Sequence, residues 1–110
     1  MSITDKDSIR AFNDQLRQNL TGGRAVITSG IAALGPEAVA RLFQTIAVFD
    51  DFCHANDPHE EHDAGCFTFD NVEIFFKIDY YDKSLKFHSP NAADPAVTER
   101  VITIMRADEY

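Results

Sequence analysis

The chain is poor in basic residues, and this shortage excludes several classes of protein. It contains 10 Lys and Arg against 18 Asp and Glu, which gives a formal net charge of −8 over 110 residues. A broad grip on nucleic acid phosphates or on an anionic membrane needs a cationic surface. We therefore predict neither direct nucleic acid binding nor membrane binding. A protein partner with a basic surface fits this charge better.

Long apolar runs and cysteines are also scarce. No run approaches the roughly 18 apolar residues of a membrane span, and the opening heptapeptide MSITDKD is polar, unlike a secretory signal. We interpret the two cysteines, Cys53 and Cys66, as free thiols in a reducing compartment rather than as a disulfide framework. These absences predict a cytoplasmic location.

The residues that are present suffice for one core. Hydrophobic residues make up 45% of the chain and nine of them are Phe, which is ample for a domain of this length. The sequence contains no internal repeat, low-complexity tract or linker composition. We therefore predict a single domain over residues 1–110.

Apolar spacing of three and four residues predicts two helices in the first half of the chain. The first covers about residues 6–20, and Gly22 and Gly23 follow it, where glycine suits a helix C-cap. A strand is predicted from Arg24. The second helix begins at Pro36, and its apolar face is formed by Val39, Leu42, Phe43, Ile46 and Phe49.

The period changes to two after residue 65. Two strands joined at Asp70-Asn71 form a hairpin, in which Phe67 lies opposite Ile74. A second turn at Asp82-Lys83 would return a third strand that carries Leu85 and Phe87 on the core side. A closing helix is predicted from Asp94-Pro95, and its stripe comprises Val97, Val101, Ile104 and Met105.

The expected fold is α+β, with three helices packed on one face of a mainly antiparallel three- to four-stranded sheet. The order is helix, strand, helix, strand, strand, strand, helix. The outer face of hairpin 66–88 then carries Phe75, Lys77, Asp79 and Tyr81, with Lys86 opposite Asp79 and His88 opposite Lys77. This mixture suits either a solvated sheet face or aromatic anchors within a polar binding rim.

Acidic residues are concentrated in one segment. Residues 50–82 hold ten acidic residues against one basic residue, a formal charge of −9, whereas the rest of the chain is nearly neutral. Its first part, the acidic loop 50–63, shows neither helical nor strand periodicity, and loops of this length are usually functional or mobile.

The sequence HEEHD at residues 59–63 allows several kinds of site. A divalent metal is one alternative, because Glu61, His62, Asp63 and Asp79 offer oxygen and imidazole ligands. Zinc is another, with candidate ligands Cys53, His59, His62 and Cys66. An acid–base pair of His62 with Asp63 or Asp79 is a third. A purely structural role is the fourth, in which His62 and Asp63 satisfy backbone groups of the loop.

The chain also resembles a bacterial domain-of-unknown-function family, number 3768 in that series. The residues that carry this resemblance are Asn13-Asp14, Leu16-Arg17, Thr21–Arg24, Asn56–Pro58, Glu61–Asp63, Gly65, Lys77–Asp82, Asp94–Thr98 and Thr103–Met105. The resemblance implies a small accessory protein of plasmids and other mobile DNA, with no activity attached. It also implies that Glu61, His62, Asp63, Lys77, Asp79 and Tyr81 belong to a shared pattern.

Two functions remain open from the sequence. We expect a binding or regulatory accessory module, without a cofactor, that engages a basic partner through the acidic loop 50–63 and the outer face of hairpin 66–88. Its binding residues would be Glu61, His62, Asp63, Phe75, Lys77, Asp79 and Tyr81. The alternative is a small hydrolase-like enzyme that depends on a divalent metal held by Glu61, His62, Asp63 and Asp79.

Overall fold

The computed structural model describes residues 5–52 and 57–110. The α-helices are α1 (Asp5–Asn19), α2 (Ser29–Ala32) and α3 (Pro36–Ala47). The strands are β1 (Arg24–Ile27), β2 (Ala64–Phe69), β3 (Val72–Tyr81) and β4 (Glu99–Arg106), and short 3₁₀ turns occupy Pro95–Val97 and Ala107–Glu109. The predicted α+β class and the coarse order of helices and strands are confirmed.

The four strands form one mixed sheet in the order β1-β4-β3-β2. β1 runs parallel to β4 at one edge, and the other two pairs are antiparallel. The predicted hairpin register is confirmed, since Phe67 pairs with Ile74. Asp70 and Asn71 have φ values of 49° and 64°, the left-handed conformation that both central residues of a type I′ hairpin turn adopt.

The last strand corrects the predicted closing helix. Residues 99–106 form β4 in the middle of the sheet, not a helix from Asp94. Val101 and Met105 are buried on one face while Ile102 and Ile104 are buried on the other. A strand that is covered on both faces reads as a continuous apolar run, and such a run also matches helical spacing.

The predicted third hairpin strand is also wrong. Residues 83–88 form a compact loop, and in the described chain they pair with β3 only through a bridge between Tyr81 and His88. Leu85 has a φ of 62°, and Phe87 is 70% exposed. The expected pairs of Lys86 with Asp79 and of His88 with Lys77 are therefore incorrect. Val101 and Thr103 of β4 lie opposite Asp79 and Lys77.

All three helices contribute to the core on one face of the sheet. The largest buried cluster contains Leu16, Ile31, Leu42, Ile46, Phe69, Ile74, Phe76, Ile78, Ile102 and Ile104. Burying an aliphatic side chain of this kind stabilises a fold by about 1.5–3 kcal/mol. Within residues 5–52 and 57–110, no helix has the length and hydropathy needed to span a membrane.

Candidate functional site

A cleft of about 330 Å³ lies at one end of β3, beyond the point where β2 begins. We call it the edge cleft. It is lined by Asp63, Ile78, Asp79, Tyr80, Tyr81, Lys86, Phe87 and His88. The structure thereby brings together three of the seven predicted binding residues, namely Asp63, Asp79 and Tyr81.

Asp63 is the acidic group of this cleft with the most unusual surroundings. Its carbonyl oxygen accepts a hydrogen bond from Ile78 N at 2.7 Å, which holds the residue against β3. Its carboxyl group is half-buried, and this burial together with the negative charge of Glu61 raises its pKa above the ordinary value. Among the described residues, no Lys or Arg side chain forms an ion pair with it. The cleft therefore contains a carboxylate that has no Lys or Arg partner in the described part of the chain.

The loop after β3 supplies the rim of the edge cleft. Asp82 Oδ1 accepts hydrogen bonds from Ser84 Oγ at 2.7 Å and from Lys86 N at 3.1 Å. The bond from Ser84 also lowers the pKa of Asp82. This small capped loop presents Phe87 to solvent beside His88. An exposed aromatic ring and a carboxylate in the lining of one cleft offer apolar and charged contacts in one place.

A buried polar network joins the cleft to α1 and β4. Asn13 is fully buried, and its amide donates to Tyr80 Oη at 2.8 Å and to Glu61 O at 3.0 Å. Arg100 Nε donates to Asn13 Oδ1 at 3.0 Å, and the Tyr80 hydroxyl donates to Glu61 Oε1 at 3.0 Å. Burial raises the pKa of Tyr80 and lowers the pKa of Arg100. These bonds hold Tyr80, which lines the cleft, in position.

His62 has a structural position beneath this network. Its Nδ1 lies 2.9 Å from Asp14 Oδ1, and its ring stacks on Phe52 with centroids 4.0 Å apart. Asp57 Oδ1 accepts hydrogen bonds from the backbone N–H groups of Glu61 and His62 at 2.9 and 3.0 Å. His62 and Glu61 therefore anchor the loop to α1 and do not line the cleft.

The remaining predicted residues lie on the outer face of the sheet. Lys77 Nζ pairs with Asp79 Oδ2 at 2.9 Å, which raises the pKa of Lys77. Phe75 lies on β3 farther from the cleft, opposite Cys66 and Met105. Its ring packs on that of Tyr110, with the ring centroids 4.9 Å apart. Lys77 thus borders the cleft through its ion pair with Asp79, whereas Phe75 belongs to a separate part of the surface.

Most acidic side chains of residues 50–82 have a partner within the described chain. Asp57 and Asp82 cap backbone groups, Asp70 pairs with Arg41, Glu60 pairs with Lys6, Glu73 accepts from Thr68, and Asp79 pairs with Lys77. Most of the side chains that carry the formal charge of −9 therefore have a hydrogen-bond or ion-pair partner. Asp63 is the acid of this segment that combines burial, a raised pKa and an open cleft.

The candidate metal ligands do not lie together among the described residues. Within them, no group of three His, Cys, Asp or Glu side chains is placed to hold a metal ion. Of the zinc candidates, Cys53 lies outside the described residues, Cys66 is an exposed free thiol, and His62 faces Asp14. The candidate metal ligand His62 is therefore directed away from Asp79 and toward α1.

Several residues of the site were missed from the sequence. Asn13 and Arg17 lie on the buried side of α1, and Arg100 lies on the core side of a strand interpreted as a helix. A detectable signal existed for α1, because Asn13 follows the buried Ile9 by four residues and precedes Leu16 by three. A polar residue within an apolar stripe predicts a buried hydrogen-bonded group.

Comparison with known proteins places the chain in a family. A family model described as a protein of unknown function (DUF3768) matches residues 27–109. The chain belongs to this family. The match includes the edge cleft and the loop that positions Asp63, whereas Asn13 and Arg17 precede it. No curated protein and no solved structure gives a significant match.

Proposed function

We propose that this chain is a small binding protein that recognises a basic segment of a partner protein through the edge cleft. The carboxylate of Asp63 carries the proposal, because it is half-buried, has a raised pKa and pairs with no described Lys or Arg side chain. A cation that enters the cleft would offset the cost of keeping this charge partly desolvated.

The rim of the cleft supports the same function. Phe87 is 70% exposed, and Tyr81 lies beside it in the lining. Aromatic side chains around a charged centre are typical of protein contact sites, where they supply apolar area while the charge sets specificity. The outer face of the hairpin, with Lys77 and Asp79 paired at 2.9 Å, continues this surface.

The geometry narrows the expected mode of recognition. Because most other acids of residues 50–82 already have a partner within the chain, binding should depend on one cleft rather than on a diffuse negative surface. A diffuse surface would respond equally to the loss of any acidic residue. A specific cleft would respond mainly to the loss of Asp63.

This difference is testable with a simple probe, the capped peptide acetyl-Gly-Arg-Gly-amide, titrated into the full chain and followed by NMR. Asp63→Asn should weaken binding at least about fivefold, the scale expected for a charge-assisted contact. Glu37→Gln is the matched control, since it removes one charge from an α3 side chain that is 91% exposed. Glu37→Gln should change the affinity for the peptide less than about twofold at about 0.15 M salt, where exposed charges are screened.

Equal losses for Asp63→Asn and Glu37→Gln would contradict the cleft as the binding site. A second readout is the charge of the probe. Replacing arginine by citrulline keeps the shape and removes the charge, so the citrulline peptide should bind at least about fivefold more weakly. Equal affinity for the arginine and citrulline peptides would contradict recognition of a basic group.

A further inference from the structure

The edge of β3 that faces away from β4 is only partly covered in the described chain. β2 covers it as far as Lys77, which pairs with Ala64. Just beyond, Ile78 N donates to Asp63 O at 2.7 Å, and farther along Tyr80 O accepts from Ser89 N at 2.9 Å. The edge cleft lies between these two hydrogen bonds.

Two backbone groups of β3 open into this gap. The N–H and C=O of a residue in an antiparallel strand point toward the same neighbour. Because Ile78 N and Tyr80 O bond on the cleft side, Ile78 O and Tyr80 N also face that side. Among the described residues, neither group has a hydrogen-bond partner. Backbone groups inside a strand are nearly always paired, so Ile78 O and Tyr80 N offer one acceptor and one donor to a further segment.

We propose that one residue of an extended peptide segment fills this gap, an inference that rests on the proposed function and names its backbone contact. The N–H of that residue donates to Ile78 O, and its C=O accepts from Tyr80 N, as in a short parallel pairing opposite Asp79. Strand addition of this kind gives affinity through the main chain and specificity through side chains. A basic side chain of the same segment then reaches Asp63, which flanks the gap.

The free chain itself provides the first test. Amide hydrogen exchange should be fast at Tyr80 although it lies inside a strand, and slow at Ile78, whose N–H is bonded to Asp63 O. Comparable protection of both amides would overturn the inference, because Tyr80 N would then already have a partner.

The second test uses the same acetyl-Gly-Arg-Gly-amide peptide and an analogue with methylated backbone nitrogens. The wild-type chain should show a downfield shift of the Tyr80 amide proton with the first peptide, and about fivefold weaker binding of the methylated analogue, which cannot donate to Ile78 O. Equal binding of both peptides with an unmoved Tyr80 signal would disprove strand pairing.

The two proposals fail in different ways. If Asp63→Asn weakens binding while backbone methylation does not, the cleft recognises the basic side chain but the strand pairing is wrong. If Asp63→Asn leaves the affinity of both peptides unchanged, the proposed function fails, whatever the effect of backbone methylation.

Discussion

At the scale of single residues, the polar side chains around β3 have two different roles. Asn13 is fully buried, and its side-chain hydrogen bonds to Glu61, Tyr80 and Arg100 join separate segments of the chain, so it stabilises the fold. Asp63 is half-buried next to the negative charge of Glu61, and both effects raise its pKa. Its charge is a cost to stability that a functional role would explain.

This contrast predicts the effect of pH on Asp63→Asn. The folded-state pKa of Asp63 is raised above the unfolded value of 3.8, so its stabilising contribution is present below pH 3.8 and is lost as pH rises through the folded pKa. At pH 7 the variant should therefore melt at a higher temperature than the wild type. Near pH 3, where Asp63 is protonated in both states, that advantage should disappear.

Thermal melts followed by circular dichroism across this pH range would measure the difference. Glu37→Gln removes an exposed charge and should change the melting temperature little at either pH. A destabilising Asp63→Asn at pH 7 would show that the carboxylate serves the fold.

At the scale of elements, close packing of β2 on β3 depends on one glycine. A Cβ added at Gly65 would lie 2.6 Å from ring carbons of both Phe49 and Phe76. These two rings pack edge to face with centroids 5.3 Å apart, inside the core. β2 can therefore sit beside them only without a side chain at this position.

We expect Gly65→Ala to lower the free energy of unfolding by about 1–3 kcal/mol through overpacking. Gly30→Ala is a matched control, because the atoms nearest to its added Cβ belong to the carboxylate end of Glu109, an exposed side chain, and not to core rings. Urea denaturation of both variants should show the smaller loss for Gly30→Ala. Equal losses would mean that the Phe49 and Phe76 rings can shift aside.

At the scale of the whole molecule, Arg17 ties α1 to the end of α3. Its Nη1 donates to the carbonyl oxygens of Ile46, Ala47 and Phe49 at 2.9, 3.2 and 2.8 Å, while Nη2 pairs with Asp14 at 3.0 Å. Asp14 in turn contacts His62. One guanidinium therefore connects the first helix, the end of α3 and the loop that leads to the edge cleft.

Arg17→Lys should lower the free energy of unfolding by about 1–3 kcal/mol, since a single ammonium group cannot serve this set of acceptors. Hydrogen exchange should also accelerate in the last turn of α3. Arg24→Lys is the control, because Arg24 has a 59% exposed side chain and a long contact of 3.6 Å to Glu99. Unchanged exchange in α3 for Arg17→Lys would show that the helix end does not depend on these bonds.

The same scales separate what could be predicted from what could not. Local rules found α1, α3 and the hairpin, because helical stripes, Pro36 and the Asp70-Asn71 turn act over a few residues. They misassigned residues 99–106, because the burial of Val101 and Ile102 on opposite faces depends on strands far away in the sequence. They also missed the distant partners of Asn13 and Arg17, which come from segments 29 to 87 positions away.

The scarcity of basic residues, the α+β class and the location of the acidic segment follow from the sequence by itself, since composition and periodicity are local properties. Only the tertiary structure decided how that acidic segment is used. It gave most of the carboxylates an ion-pair or hydrogen-bond partner, with Lys6 of α1 and Arg41 of α3 among them, and it left Asp63 in a cleft. The physical reason is that the pKa and the energetic cost of a carboxylate depend on the groups around it. In a folded chain those groups are brought together from distant parts of the sequence.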